Sequence, residues 1–278
     1  MKKPMVTMVR VLFVATAFSA GTLLADHGGK GSEGEGNDAC KNVPSFNALQ
    51  TALKSVAPAA SKAVNGGLNF NMWATVVNRD GIVCAVVFTG ADRGSEWPGS
   101  RVISAQKANT ANAFSLPGFA LSTANLYSAT QPGGTLYGLQ HSNPVDTEVA
   151  YGGNSSNYGQ PNDPMVGGKI GGVNVFGGGL ALYNSQGTLV GALGVSGDTS
   201  CTDHIVAWKT RAALKFDDVP AGVADGGKDD NMINDLAPIA AGETTSLSAS
   251  GFGHPTCDAT ATAVNAGLPT NFPVGSHP

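Results

Sequence analysis

The residues best suited to chemistry in this chain are two cations and two histidines. Arg93 and Lys107 can each pair with a carboxylate, and the planar guanidinium of Arg93 suits a bidentate contact. Of the five histidines, three lie near the chain ends or in a C-terminal segment with little periodicity. The other two are His141, in a long segment rich in glycine and proline, and His204, in a predicted helix. Both are candidate metal ligands.

Each of these residues also has a structural interpretation. The two cations could form ion pairs with Asp92 or Glu96. His204 could be an uncharged residue in the first turn of its helix, and His141 an ordinary loop residue. The residue types alone therefore leave both interpretations open.

Other familiar sites have less support. Gly177-Gly178-Gly179 would let a flat ligand approach the backbone, but the strand-then-helix context of a nucleotide loop is missing. Ser196 does not lie in a Gly-x-Ser-x-Gly elbow. The oxygen-bearing residues at 225, 229, 230 and 231 lack the spacing of an EF-hand, so we interpret them as a solvated acidic loop.

The elements that must position these residues follow the order helix, hairpin, helix, hairpin, helix. The first helix has Ser45 as its N-cap and a kink or break at Pro58. An Asp-Gly turn at 80–81 joins two apolar runs, which is typical of a hairpin. The last helix is capped by Ser200 or Thr202. The predicted helices are 45–64, 100–114 and a final one ending at 214, and the predicted strands are 72–77, 82–88, 179–183 and 189–195.

An antiparallel sheet with helices on its faces satisfies this order, which places the chain in the α+β class. The helix over 100–114 carries alanines at 105, 108 and 111, so it can approach the sheet closely. Residues 115–176 form an insertion so long that a functional role is expected, and we interpret it as a lid. Residues 217–278 read as an ordered but irregular tail.

Four sequence blocks, in order, resemble the GlcG/HbpS family of haem-binding proteins. They are Val-Val-Asn-Arg-Asp-Gly at 76–81, Gly-Ala-Asp-Arg at 90–93 followed by the helix at 104–111, Gly-Gly-Gly-Leu-Ala-Leu at 177–182, and Gly-Ala-Leu-Gly-Val-Ser-Gly at 191–197 followed by Asp203 and Ala207. The resemblance implies a profilin-like α/β domain (an α+β sandwich with an antiparallel sheet flanked by helices). It also implies a small-molecule ligand, haem or a similar tetrapyrrole, and a homo-oligomer.

Some haem-binding relatives use a histidine of the first helix as iron ligand, and residues 45–64 contain none. By elimination, His204 and His141 become the predicted iron ligands, since haem iron takes His, Met, Cys or Tyr. Arg93 and Lys107 would meet the propionates, and Gly178 and Gly179 would approach the flat ligand. Four tyrosines of the insertion are further possible ligands or stacking partners: Tyr127, Tyr137, Tyr151 and Tyr158.

The N-terminus reads as a secretory signal peptide over residues 1–25. A positive segment with Lys2, Lys3 and Arg10 precedes an uncharged apolar run, with cleavage expected after Ala25. Residues 26–39 follow as a flexible linker, and residues 40–216 form the domain. No run reaches the roughly 20 apolar residues of a membrane span. We therefore expect a periplasmic or secreted protein without a membrane span.

Charge excludes one class of partner. The chain carries 16 basic and 20 acidic residues, and removal of the first 25 residues leaves 13 basic residues, for a net charge of −7. An acidic chain lacks the basic surface that nucleic acids or anionic membranes require.

Four cysteines, at 40, 84, 201 and 257, are an even number in an exported chain. They allow three disulfide pairings. Cys201 begins the last helix and Cys257 lies in the tail that leaves it, so we expect this pair to tie the tail down. Cys40 would then pair with Cys84.

Three functions fit these observations. The first is an exported haem-binding protein. The second is an enzyme that acts on haem or a small organic acid, suggested by Arg93, Lys107, Asp203 and His204, although no nucleophile and base can be assigned. The third is a structural or partner-binding oligomer without a ligand.

Overall fold

The computed structural model describes residues 38–58, 62–239, 241–242, 246 and 248–275. The predicted signal peptide, and the predicted linker except for its last two residues, lie outside the described residues. Among the described residues, no helix is long and apolar enough to cross a membrane.

The first helix is shorter than predicted. Helix α1 (Phe46–Val56) begins after Ser45, whose Oγ accepts a hydrogen bond from the Ala48 amide at 3.3 Å. It ends where Ala57 is extended, with φ −146° and ψ 136°, because the residue before a proline is pushed out of the helical region. A separate short helix, α2 (Lys62–Asn65), follows. The break predicted at Pro58 is confirmed, and the single helix to residue 64 is wrong.

Four strands form one antiparallel sheet, as predicted. They are β1 (Trp73–Asn78), β2 (Val83–Phe88), β3 (Gly179–Tyr183) and β4 (Leu189–Ser196). Their spatial order is β2-β1-β4-β3, so the two hairpins meet through β1 and β4. Trp73 pairs with Ser196 at one end of this seam, and Asn78 pairs with Gly191 at the other.

Helices cover both faces of the sheet. Helix α3 (Ser100–Phe114) lies on one face, and α1 lies on the other with α6 (Ser200–Leu214). The alanines at 105, 108 and 111 are fully buried against the sheet. Gly194 makes this approach possible, since a Cβ there would overlap the backbone carbonyl oxygen of Ser104. The predicted small-residue contact is confirmed.

The insertion is folded into the core. It contains α4 (Tyr127–Thr130) and α5 (Thr147–Tyr151), with short 3-10 turns at Thr123–Leu126 and Ser155–Asn157. Its apolar side chains at 124, 150, 165 and 170 are fully buried. The ion pair of Arg101 with Asp163, with Nε to Oδ2 at 2.9 Å, joins it to α3. Much of the insertion therefore packs on the same side of the sheet as α3.

Helix α6 and the tail differ from prediction in detail. The N-cap is Thr199, whose side chain accepts from the Thr202 amide, so the assignment of Ser200 or Thr202 is wrong by one to three residues. The tail contains two helices that the sequence analysis did not predict, α7 (Ala259–Ala266) and α8 (Leu268–Asn271). Asp258 caps α7 by accepting from the Ala261 amide at 2.9 Å.

Both predicted disulfides are present. Cys40 bonds Cys84, with their Cα atoms 5.6 Å apart, and Cys201 bonds Cys257, with Cα atoms 6.0 Å apart. The first joins the start of the domain to β2, and the second joins α6 to the tail. Both cross-links are consistent with an oxidising compartment.

Candidate functional site

A cavity of about 690 Å³ opens between the first turn of α3 and the end of α5. Cavities of this size hold small-molecule ligands in many proteins. We call it the Tyr151 pocket. Its lining comprises Trp73, Asp92, Arg93, Gly94, Pro98, Gly99, Arg101, Val102, Tyr151, Ser155 and Tyr158.

Aromatic rings form much of the wall of the Tyr151 pocket. Trp73, at the start of β1, is 1% exposed and packs edge-to-face on Phe88, with ring centroids 5.2 Å apart. Tyr158 stacks against the Arg101 guanidinium, whose central carbon lies 3.6 Å from the ring centroid. Its hydroxyl donates to the Tyr151 carbonyl at 2.9 Å. The ring of Tyr151 itself is 62% exposed at the rim.

The two arginines of the Tyr151 pocket have different electrostatic roles. Arg101 is buried, and its charge is balanced by Asp163, while its Nη1 donates to the Ala150 carbonyl at 2.8 Å. Arg93 is exposed and makes no hydrogen bond or ion pair with any described residue. The predicted pairing of Arg93 with Asp92 or Glu96 is therefore not formed: Asp92 accepts from the Gly94 amide, and Glu96 accepts from the Gly90 amide. Arg93 is thus an exposed cation without an ion-pair partner among the described residues, and Asp92 lines the same cavity.

One residue that lines the Tyr151 pocket, Trp73, has a buried donor without an acceptor. The indole Nε1–H of Trp73 is inaccessible to solvent, and no atom of the described residues accepts its hydrogen bond. Because this nitrogen has no solvent-accessible surface, it does not face the open cavity, although Trp73 lines it.

A second group of predicted residues meets beneath the glycine run. Lys107 Nζ lies 2.7 Å from Asp203 Oδ2 and donates to the Val195 carbonyl at 3.2 Å. Both side chains are buried, and Asp203 also accepts from the amides of Gly197 and Asp198. Burial raises the pKa of Asp203 to about 6, although the Lys107 charge opposes this shift.

The glycines at 178 and 179 are required by this packing. A Cβ on Gly178 would overlap the Val195 carbonyl oxygen and lie 3.1 Å from Lys107 Nζ. A Cβ on Gly179 would overlap the Lys107 carbonyl oxygen. The glycine run therefore lets β3 lie against α3.

His204 is fully buried on α6. Its Nε2 lies 3.2 Å from Asn231 Oδ1 and 3.1 Å from the Met232 amide nitrogen, while Nδ1 has no partner among the described residues. Burial lowers the pKa of His204 to about 3, so the ring is neutral at pH 7. Burial in the core is the largest cause of this lowered pKa.

The two remaining described histidines, His141 and His254, lie apart from the Tyr151 pocket. His141 is exposed, and the described structure places it in the loop before α5. His254 is 1% exposed; its Nε2 accepts from the Gly177 amide at 3.3 Å, and its Nδ1 lies 2.8 Å from the Pro255 carbonyl. His254 and Tyr127 line a second cavity of about 620 Å³, whose described lining residues include no arginine or lysine.

Of the acidic residues predicted to form a solvated loop at 225–231, Asp225 is exposed, but Asp229 and Asp230 are buried. Asp230 is fully buried and forms a two-point contact with Arg211, at 2.7 and 2.8 Å. Asp229 is 1% exposed and accepts from the Asn231 amide. The described residues contain no group of three or more His, Cys, Asp or Glu side chains that could hold a metal ion.

Sequence reasoning found Arg93 but missed the walls of the Tyr151 pocket. Trp73 reads as an ordinary strand residue, and Arg101 as an ordinary helix residue. Tyr151 and Tyr158 were considered only as members of a tyrosine-rich insertion. Their sequence signal is an aromatic pair seven residues apart, whereas their partners lie 50 residues or more away in the chain.

The fold is α+β, with one antiparallel sheet between helical layers, as predicted. The model of the family described as haem degrading protein HbpS-like matches residues 48–212. This match spans more than half of the chain, so the chain belongs to the HbpS-like family. The resemblance seen in the four sequence blocks is confirmed.

Three solved structures are similar to part of the chain. A PduOC–haem complex is 24% identical, with 60% of this chain and 89% of that chain covered and a TM-score of 0.41. The Klebsiella pneumoniae protein ORFY is 22% identical, with 62% and 90% covered and a TM-score of 0.40. HbpS is 16% identical, with 62% and 89% covered and a TM-score of 0.37. No curated protein matches the chain.

Proposed function

We propose that this protein is an exported haem-binding protein that holds haem in the Tyr151 pocket. The observation that carries the proposal is the combination, in one open cavity, of aromatic walls and the exposed cation Arg93, which has no ion-pair partner among the described residues. Membership of the HbpS-like family supports haem as the ligand. The two disulfides support an extracytoplasmic location.

The residues of the Tyr151 pocket fit the chemistry of haem. A porphyrin is flat and apolar, so aromatic walls suit its faces, and its propionates require a cation such as Arg93. The Tyr151 hydroxyl makes no hydrogen bond with a described residue, and tyrosine is one of the side chains that ligate haem iron. Bound haem would supply an iron centre for redox or ligand-binding chemistry.

The residues predicted from sequence define a second placement. His204 and Lys107 are buried close to the glycines at 178 and 179, which pack tightly against their surroundings. Haem there would require the segment that carries Asn231 and Met232 to move away from His204. His141, exposed in its loop, would have to reach the haem from outside. We favour the Tyr151 pocket because it is already open.

The first experiment is a haemin titration of the purified protein, followed by visible absorption. Wild-type protein is expected to shift the Soret band with saturable stoichiometry. Tyr151→Phe removes the proposed iron ligand, so we expect a changed Soret maximum and an affinity lower by about tenfold or more. Tyr137→Phe is the matched control, since Tyr137 is also 62% exposed but lies outside the pocket lining.

A second pair of variants tests the propionate contact. Arg93→Gln is expected to weaken binding by about two- to fivefold, as partly exposed ion pairs contribute about 0.2–1 kcal/mol. High salt should reduce this difference. Lys54→Gln is the control, because Lys54 is exposed on α1, on the other face of the sheet.

The same titration decides between the two placements. If His204→Gln or His141→Ala changes the spectrum and Tyr151→Phe does not, the Tyr151 pocket is wrong and the second placement is right. If wild-type protein produces no Soret shift, the haem-binding function is wrong. Progressive loss of the Soret band with a reductant and oxygen would instead support an enzyme that degrades haem.

A further inference from the structure

A buried lysine on α6 lacks a counter-charge. Lys209 is 8% exposed, and its Nζ donates to the Val64 carbonyl at 2.8 Å and to Asn65 Oδ1 at 2.7 Å. Both acceptors are neutral, and among the described residues no carboxylate lies within 4 Å of this ammonium. By contrast, the other buried cations of the described structure, Arg101, Lys107 and Arg211, each face an aspartate.

The two contacts of Lys209 leave one donor unused. An ammonium has three N–H donors, and the described residues accept from only two of them. Burial lowers the pKa of Lys209, which reflects the cost of holding this charge away from water. An anion beside Nζ would remove that cost.

Lys209 lines a small cleft in which such an anion could lie. The cleft has a volume of about 350 Å³ and is formed by the end of α2, by α6 and by the helices of the tail. Its other lining residues are Val64, Ala263, Val264, Gly267, Leu268, Asn271 and Phe272. The Phe272 ring lies 5.7 Å from Nζ, and the Trp208 indole fixes this segment by donating to the Phe272 carbonyl at 2.9 Å. The walls are therefore mainly apolar around one cation.

We infer that this cleft binds a small monocarboxylate with a short apolar body. The carboxylate would accept the third hydrogen of Lys209, and the side-chain amide of Asn271 is a second donor at the same cleft. The aliphatic and aromatic walls would cover the body of the ligand. A single buried cation with apolar surroundings suits one negative charge better than a phosphate or a dicarboxylate. This inference does not depend on the proposed haem site.

The test is calorimetric titration of the full chain with hexanoate, with hexanol as the uncharged analogue. Hexanoate is expected to bind saturably, and hexanol at least tenfold more weakly. Lys209→Met keeps the apolar stem and removes the charge, so hexanoate affinity should also fall at least tenfold. Lys54→Met, at an exposed position of α1, should leave the affinity unchanged.

A second variant fills the cleft without changing the lysine. Ala263 is exposed on α7 and lines the cleft, so Ala263→Trp should block hexanoate, whereas Ala259→Trp, exposed one turn earlier and outside the lining, should not. Arg93→Gln should have no effect. The inference is wrong if hexanoate does not bind at tens of millimolar. It is also wrong if binding survives both Lys209→Met and Ala263→Trp, or if it is lost with Arg93→Gln instead.

Discussion

Lys107 and Asp203 form an ion pair that water does not reach, with side chains 2% and 3% exposed. The pair joins α3 to the first turn of α6, and two backbone amides complete the carboxylate's contacts. A buried pair of this kind contributes little over an apolar pair, but removal of one partner leaves an uncompensated charge in the core.

We therefore expect Lys107→Met to destabilise the protein by about 3–5 kcal/mol at pH 7. Because burial raises the pKa of Asp203 to about 6 even with Lys107 present, the isolated carboxyl should become protonated in mild acid. Loss of the Lys107 charge raises the pKa of Asp203 further, so the destabilisation should shrink as the pH falls from 7 to 5. Urea unfolding at pH 7 and pH 5 measures both effects.

Exposed Lys54→Met is the control for this prediction and should change stability by less than about 0.5 kcal/mol. A Lys107→Met loss no larger than that of the control would contradict the structural role of the pair. The same variant bears on haem: unchanged haemin affinity in folded Lys107→Met would exclude Lys107 as a propionate partner.

His204 and His254 are buried as neutral rings. Burial lowers the pKa of His254 to about 4 and that of His204 to about 3, both from 6.5. Below pH 6.5 the unfolded chain therefore binds protons that the folded chain does not. The contribution of each histidine to stability is largest at neutral pH and declines as the pH falls toward its folded-state pKa.

For His254 this loss amounts to about 2–3 kcal/mol between pH 7 and pH 4.5. We expect His254→Gln to remove that part of the pH dependence, whatever its effect at pH 7. Chemical unfolding over this range measures the slope. Exposed His141→Gln should leave the slope unchanged, and equal slopes for wild type and His254→Gln would refute the assignment.

At the scale of elements, α6 holds the tail in place. Cys201, in its first turn, bonds Cys257, and Arg211, in its last turn, pairs with Asp230. Trp208, between them, donates to the Phe272 carbonyl. The tail therefore packs along the length of α6, and the Lys209 cleft depends on this packing.

Removal of the second disulfide should loosen this arrangement. The Cys201–Cys257 bond closes a loop with a sequence separation of 56 residues, which corresponds to about 4 kcal/mol in the chain-entropy model. We expect the double variant Cys201→Ser/Cys257→Ser to lose about that much free energy of unfolding. Faster proteolysis of the tail than of the domain would show where the loss acts.

Reductant provides the control for the disulfide. The variant should respond to reductant less than the wild type does, because only Cys40–Cys84 remains to be reduced. If the double variant is as stable as the wild type, the cross-link does not hold the tail.

At the scale of the whole molecule, export is the first prediction. The protein recovered from the periplasm or medium of a producing bacterium should begin at Asp26, because cleavage is expected after Ala25. Mass spectrometry gives the N-terminus, and a thiol assay on unfolded protein should find no free cysteine. Full-length protein with free thiols would contradict export.

Assembly is the second prediction at this scale. The alanines of α3 provide no surface for a second copy of the chain, because they are buried against the sheet within one chain. Low surface charge and the family resemblance still favour association. We expect light scattering at tens of micromolar to show a species larger than one chain, and a monomer would refute this.

Local patterns were sufficient for much of the fold. The break at Pro58, the hairpin turn at Asp80-Gly81 and the alanine stripe of α3 each depend on residues within one or two turns of chain. The sequence alone was therefore sufficient to predict the order of the four strands and the helices at 100–114 and 200–214, the sheet type and the expected disulfide pairing. Helix α7 was missed, although Asp258 at its start is a standard N-cap signal.

The candidate sites were decided by tertiary structure. Lys107 forms its ion pair with Asp203, which is 96 residues away in the chain, and not with the nearer Asp92 or Glu96. Arg101 forms its ion pair with Asp163, 62 residues further along the chain, and this pair helps to hold Tyr158 at the wall of the Tyr151 pocket. The packing of distant segments decides which charges form ion pairs. It also decides which donors lack an acceptor and where a cavity remains open. Residue type and spacing along a short segment cannot predict that packing, because it depends on contacts among the strands, α3 and the folded insertion together.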